Sequence, residues 1–110
     1  KAKLIVEGAN APISKEADAY FEGNGTIIIP DILANAGGVI VSYLEWKQSR
    51  LTELYSEEDI FREMSKQMIE TFKSVYDTYF QANERTMRET CFFLALSRLT
   101  SLLYKHGKLF

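Results

Sequence analysis

The residues in this sequence best suited to chemistry fall in two short segments: Glu7-Gly8-Ala9-Asn10-Ala11-Pro12, and Pro30-Asp31-Ile32-Leu33-Ala34-Asn35-Ala36-Gly37-Gly38. The Asn10 carboxamide offers both a donor and an acceptor, which suits a ribose hydroxyl or another carboxamide. An asparagine in such a loop equally satisfies its own turn, and both readings stay open here. Asn35 has the same two options, ligand amide or helix N-cap. The Gly37-Gly38 pair removes side chains beside a helix start, where a flat ring or a carboxylate could approach and the first backbone amides favour an anion. Ser42 projects from the first turns of that helix with a hydroxyl able to donate to a carboxylate oxygen, although a helical serine is more often solvated or bonded to backbone.

Other chemistries are missing. The lone His106 lies beside a terminal glycine, so neither a Ser-His-Asp arrangement nor a histidine-based metal site is expected. Glu57 and Glu58 sit at a helix start, where carboxylates are structural. No G-x-G-x-x-G fingerprint and no P-loop is present. The single cysteine, Cys91, has helical neighbours Phe92, Phe93 and Leu94 and reads as a buried thiol in a reducing compartment. A net charge of -2 with no segregated basic block argues against nucleic acid. No apolar run approaches the roughly 20 residues of a membrane-spanning helix, and no signal peptide is evident, so no membrane is expected.

These loops need elements to hold them. Leu4, Ile5 and Val6 predict a buried strand entering the first loop, and Ser14 is a candidate N-cap for a short helix that Gly23, Asn24 and Gly25 stop. Thr26 to Ile29 predict a second strand. Asp31 to Gly38 reads as a loop of small residues, followed by a helix with Val39, Tyr43 and Trp46 near one another, and Gln48 to Tyr55 as a connection. Ser56 and the three acidic residues after it signal a long helix. Its stripe of Ile60, Phe61, Met64, Met68, Phe72, Val75, Tyr76, Tyr79 and Phe80 is expected to be core. Thr86 and Glu89 predict a capping box for a last helix burying Phe92, Ala95, Leu96, Leu99, Leu102 and Leu103, with Gly107 ending it.

Strand, helix, strand in about 30 residues is the length of one parallel crossover, and continuous rather than alternating hydrophobicity suits strands covered on both faces. The fold class read from this is α/β, a piece of a doubly wound parallel sheet followed by long helices. Two parallel strands do not make a stable sheet alone, and the chain enters a strand by its fourth residue without a preceding methionine. Further strands are therefore expected outside this sequence.

Taken together, Lys3 to Pro12 (KLIVEGANAP) and Ile29 to Trp46 (IPDILANAGGVIVSYLEW) closely resemble the glutamate dehydrogenase family of amino-acid dehydrogenases. Weaker similarity runs on through the last helix, where Arg88, Ala95 and Arg98 keep the family's spacing. The resemblance implies that residues 1–48 end a Rossmann-like NAD(P)-binding domain and include a substrate-pocket helix, while residues 49–110 are a C-terminal helical segment packed on it. It implies that Asn10 and Asn35 lie near the nicotinamide and its ribose, that Val39 lines the substrate pocket, and that Ser42 binds the side-chain carboxylate of glutamate. The implied reaction is reversible oxidative deamination of L-glutamate to 2-oxoglutarate and ammonia with NAD or NADP, in a homo-hexamer of the cytoplasm or mitochondrial matrix. The family's catalytic lysine and aspartate match no position here, so this segment alone is expected to be inactive. Ala11 and Ile40 differ conservatively from residues often found at those places. The direct passage from Trp46 to the long helix leaves no room for the antenna of animal enzymes.

Two other readings compete. Leucine, valine and phenylalanine dehydrogenases share the Asn-Ala-Gly-Gly element but accept apolar side chains, and Ser42 favours a substrate carboxylate over these. A free-standing helical interaction module, binding a partner through Trp46 and the Phe/Tyr stripe, has no need of backbone held open at Gly37 and Gly38.

Overall fold

An apolar tripeptide, a capped helix and a second apolar tripeptide produce the expected crossover in the computed structural model, which describes residues 2–82 and 84–108. The elements are β1 (Leu4–Val6), α1 (Lys15–Gly23), β2 (Ile27–Ile29), α2 (Asp31–Ala34), α3 (Gly37–Leu51), α4 (Glu57–Ala82) and α5 (Met87–Lys105). β1 and β2 pair in parallel, Leu4 opposite Ile27 and Val6 opposite Ile29. Ser14 caps α1 by accepting from the Ala17 N–H at 3.3 Å, and Gly25 turns the chain into β2 with φ 72°.

Side chains alternate across a strand, so Ile27 and Ile29 face one side of β2 and Ile28 the other. Ile27 and Ile29 pack on a core formed by Leu33, Val75, Met87 and Cys91, joined by Tyr79 and Leu94. Thus one residue of α2, two of α4 and the first turns of α5 close over the strand. Burial in this core pushes the Cys91 thiol up to about 11, which keeps it protonated and unreactive at neutral pH. Among the described residues, no helix is long and apolar enough to cross a membrane.

The helix signals operate as the sequence suggests. Ser56 and Asp59 exchange bonds at the start of α4, the Asp59 N–H donating to Ser56 Oγ and the Ser56 N–H to Asp59 Oδ2. Thr86 and Glu89 form the full capping box of α5. At its other end Gly107 takes φ 62°, and the Lys108 N–H reaches back to the Leu103 carbonyl at 2.9 Å.

Four expectations are corrected. The stretch after Pro30 is not a loop. Pro30 sets an extended φ at the N-cap, Asp31 accepts from the Ile32 N–H at 2.7 Å, and Leu33 plunges into the core, which together produce the single helical turn α2. Asn35 is accordingly the C-cap of α2, and Ala36, with no side-chain acceptor, holds the N-cap position of α3. The third helix also runs through Leu51 rather than stopping near Gln48, because no glycine or proline interrupts it before Thr52 adopts the left-handed conformation.

The other two corrections concern burial. β1 is not covered on both faces, since Leu4 and Val6 stay 53% and 56% exposed. The long apolar stripes are only partly core: Phe61, Phe72, Tyr76 and Phe80 on α4 are exposed, as are Phe92, Ala95, Leu96, Leu99, Leu102 and Leu103 on α5. The radius of gyration is 16.6 Å, against roughly 13 Å for a compact domain of this length. The helices project past the short sheet, and among the described residues no element lies against their outer apolar faces.

Candidate functional site

Both candidate loops leave the same end of the two-stranded sheet, because parallel strands carry their C-terminal ends to one side. The register places Val6 beside Ile29, so Gly8–Pro12 and Asp31–Asn35 emerge as neighbours. Asn35 Nδ2 donates to Asn10 Oδ1 at 2.7 Å, joining two side chains 25 residues apart. That bond uses one acceptor of Asn10 and one donor of Asn35. It does not use the Asn10 amide N–H groups or the Asn35 carbonyl oxygen, donor and acceptor groups of the kinds that suit a carboxamide or a ribose hydroxyl.

Val39 and Ser42 lie on α3, four and seven residues beyond Asn35, the helical spacing that stacks them on one face. Both are exposed, Val39 at 69%. Trp46 continues the stripe, with Tyr43 stacked beside it and Arg50 over its ring. Three clefts among the described residues are lined by others: one around Thr26, Tyr79 and Met87, one between α3 and α4 around Tyr43 and Lys47, and one between α4 and α5 around Val75 and Cys91. The structure therefore brings Asn10 and Asn35 together and leaves Val39 and Ser42 on an open helix face. The glycine pair divides its duties. A Cβ on Gly37 would meet Met64 Sδ at 3.3 Å, so this glycine serves the close approach of α3 to α4, whereas Gly38 faces open space.

A third set of residues, which spacing did not single out as a site, holds these loops. Arg88 in the first turn of α5 donates to Glu7 Oε1 at 2.8 Å, to Asp18 Oδ2 at 3.2 Å and to Asp31 Oδ1 at 3.2 Å. The Glu7 side chain is 1% exposed. Its second oxygen accepts from the Asp31 N–H at 2.8 Å, and Asp31 Oδ2 accepts from the Ala11 N–H at 2.7 Å. The bond to Glu7 above all raises the Arg88 pKa, and the Ala11 amide above all lowers that of Asp31, so both are fully charged at neutral pH. Ala11, at φ 44°, occupies a left-handed conformation that costs a non-glycine residue energy, and the Asp31 carboxylate offsets this. One sequence signal could have revealed the cluster: a glutamate that directly ends an apolar strand must find a cation or stay unburied. Among the described residues, no group of His, Cys, Asp and Glu side chains is placed to hold a metal ion.

Residues 1–107 match the Glutamate/Leucine/Phenylalanine/Valine dehydrogenase family. The chain belongs to that family. It is 37% identical to the NAD-specific glutamate dehydrogenase of Clostridioides difficile over 97% of its length, and 36% identical to the NADP-specific glutamate dehydrogenase of Saccharolobus shibatae over 99%. The crystal structure of glutamate dehydrogenase from Peptoniphilus asaccharolyticus superposes on 97% of the chain with a TM-score of 0.88 at 32% identity. The hetero-hexameric glutamate dehydrogenase of Thermus thermophilus, in its Leu-bound form, does so on 90% with a TM-score of 0.81 at 31% identity. The chain spans about a quarter of these dehydrogenases, 25% and 26% of the two sequences and 27% and 24% of the two structures. The match to this family takes in both paired segments and the helices after them.

Proposed function

We propose that this chain is the C-terminal part of an NAD- or NADP-dependent glutamate dehydrogenase that interconverts L-glutamate with 2-oxoglutarate and ammonia. The observation that carries the reading is the Asn35–Asn10 hydrogen bond at the carboxyl end of parallel strands, followed at helical spacing by Val39 and Ser42. In an open parallel sheet that end is where ligands bind. The donor and acceptor left by the two asparagines suit the nicotinamide carboxamide or its ribose, and the nicotinamide is the hydride acceptor in this reading. Val39 then lines the substrate pocket, and the Ser42 hydroxyl takes the side-chain carboxylate.

Residues 1–48 accordingly end a Rossmann-like, doubly wound coenzyme domain. Residues 49–110 return as a helical segment, the division falling in the last turns of α3. The uncovered apolar faces of β1, α4 and α5 support a longer protein, since patches of that extent are seldom left to water. The catalytic groups, the opposite wall of the pocket and the contacts of a homo-hexamer belong to that longer protein, and the segment alone is expected to be inactive because no position in it matches the family's catalytic lysine and aspartate. A cytoplasmic or mitochondrial-matrix enzyme fits this chemistry.

Substrate choice is tested by assaying the full-length protein with L-glutamate, L-leucine, L-valine and L-phenylalanine, reading reduction of NAD and of NADP at 340 nm. Ser42 predicts that glutamate has the highest kcat/KM by at least about a hundredfold, as expected when a buried polar partner is left unpaired by an apolar substrate. Preference for an apolar amino acid would contradict the role given to Ser42.

A further inference from the structure

The strands that deliver Asn10 and Asn35 are only three residues long, and the backbone ladder between them ends with the Glu7 N–H donating to the Ile29 carbonyl at 3.1 Å. Beyond that point the two loops are tied by side chains. Arg88 lies where the two carboxylate ties converge. Through Glu7 it reaches the Asp31 amide, the first residue after Pro30. Through Asp31 it reaches the Ala11 amide, the residue next to Asn10. Its own backbone is fixed by the Thr86–Glu89 capping box, and its Nε and Nη2 hold α1 through Asp18.

Binding an anionic ligand directly does not fit this guanidinium. Three carboxylates surround it and its side chain is 24% exposed, so the cluster repels phosphate rather than attracting it. What the three together accomplish is to set the loop of Asn10 against the α2 turn that ends at Asn35, at hydrogen-bond distance.

We infer that Arg88 is a positioning residue for coenzyme binding, acting through Glu7 and Asp31 to hold the Asn10–Asn35 pair in register. The inference rests on the reading of that pair as nicotinamide-facing. It assigns a role in the coenzyme site to a residue 78 positions from Asn10 and on a different element.

The test is a double-mutant cycle in the full-length protein with Arg88→Gln, Asn10→Ala and the double variant, measuring reduced-coenzyme binding by its fluorescence and the KM for glutamate. Each single variant is expected to weaken coenzyme binding about tenfold, and the double variant to be within about twofold of Asn10→Ala. The glutamate KM is expected to move by less than about threefold. Arg88→Lys keeps one charge but not the fork, so it serves where Arg88→Gln fails to fold, and should weaken coenzyme binding by about threefold. Fully additive effects in the cycle, or unchanged coenzyme binding in Arg88→Gln and Arg88→Lys while Asn10→Ala weakens it, would overturn the positioning role and leave the coenzyme reading intact. Unchanged binding in Asn10→Ala would overturn that reading, and this inference with it.

Discussion

Replacing Ser42 by alanine in the full-length protein is expected to lower kcat/KM for L-glutamate by about ten- to a hundredfold, with coenzyme affinity altered by less than about twofold. The magnitude follows from what the hydroxyl is asked to do. A hydrogen bond to a charged group contributes roughly 1.5–3 kcal/mol, and each 1.4 kcal/mol is about a factor of ten. The selectivity follows from place. Ser42 is on the exposed face of α3, in the second turn after Gly37, while the asparagine pair lies before that helix begins. Steady-state kinetics with each substrate varied in turn separates the two effects. Equal losses for glutamate and coenzyme would make Ser42 a residue of the scaffold, and no loss would remove it from the pocket.

The second large effect is on stability. Arg88→Met leaves Glu7 buried with a 1% exposed side chain and no cation, and removes the cation that Asp18 and Asp31 share. Removing one partner of a buried ion pair costs roughly 3–5 kcal/mol, because the remaining charge can neither reach water nor find a substitute. The comparison is Arg62→Met, which breaks the pair with Asp59 in a side chain 71% exposed. An exposed pair at that spacing contributes little, because water screens it. Thermal unfolding of the two full-length variants should therefore show a clear drop in Tm for Arg88→Met and little for Arg62→Met. Similar shifts in both would mean that the Glu7 carboxylate finds another partner.

The sequence announces its elements through local chemistry and conceals its packing. Ser14, Ser56, Thr86, Gly25 and Gly107 act within a few residues of themselves, so the ends they set could be read directly. Helix α2 escaped because its small residues suggest a loop, whereas Leu33 draws the segment into the core, a tertiary effect no local pattern contains. The stripes on α4 and α5 show the opposite error. Periodicity specifies which face is apolar but not what covers it, and among the described residues only Val75 of the α4 stripe finds full cover.

The candidate site divides along the same line. Motif resemblance singled out Asn10, Asn35, Val39 and Ser42, and the structure then joined the first two across 25 residues. Arg88 was visible only as a residue keeping the family's spacing. Its meaning comes from Glu7, Asp18 and Asp31, whose convergence depends on a crossover, a helical turn and the start of α5 all being in place. A charge network of that kind spans 81 residues, which a short-range reading does not reach.

The central claim is that the asparagine pair and Ser42 face one ligand site completed by the rest of a glutamate dehydrogenase. A crystal structure of the full-length protein with reduced coenzyme and 2-oxoglutarate tests it most directly. The account predicts the Asn10 and Asn35 amides within hydrogen-bond distance of the nicotinamide or its ribose, and Ser42 Oγ on the carboxylate at the far end of the substrate. Coenzyme and substrate bound elsewhere, with Asn10 and Ser42 opening onto separate surfaces, would contradict it.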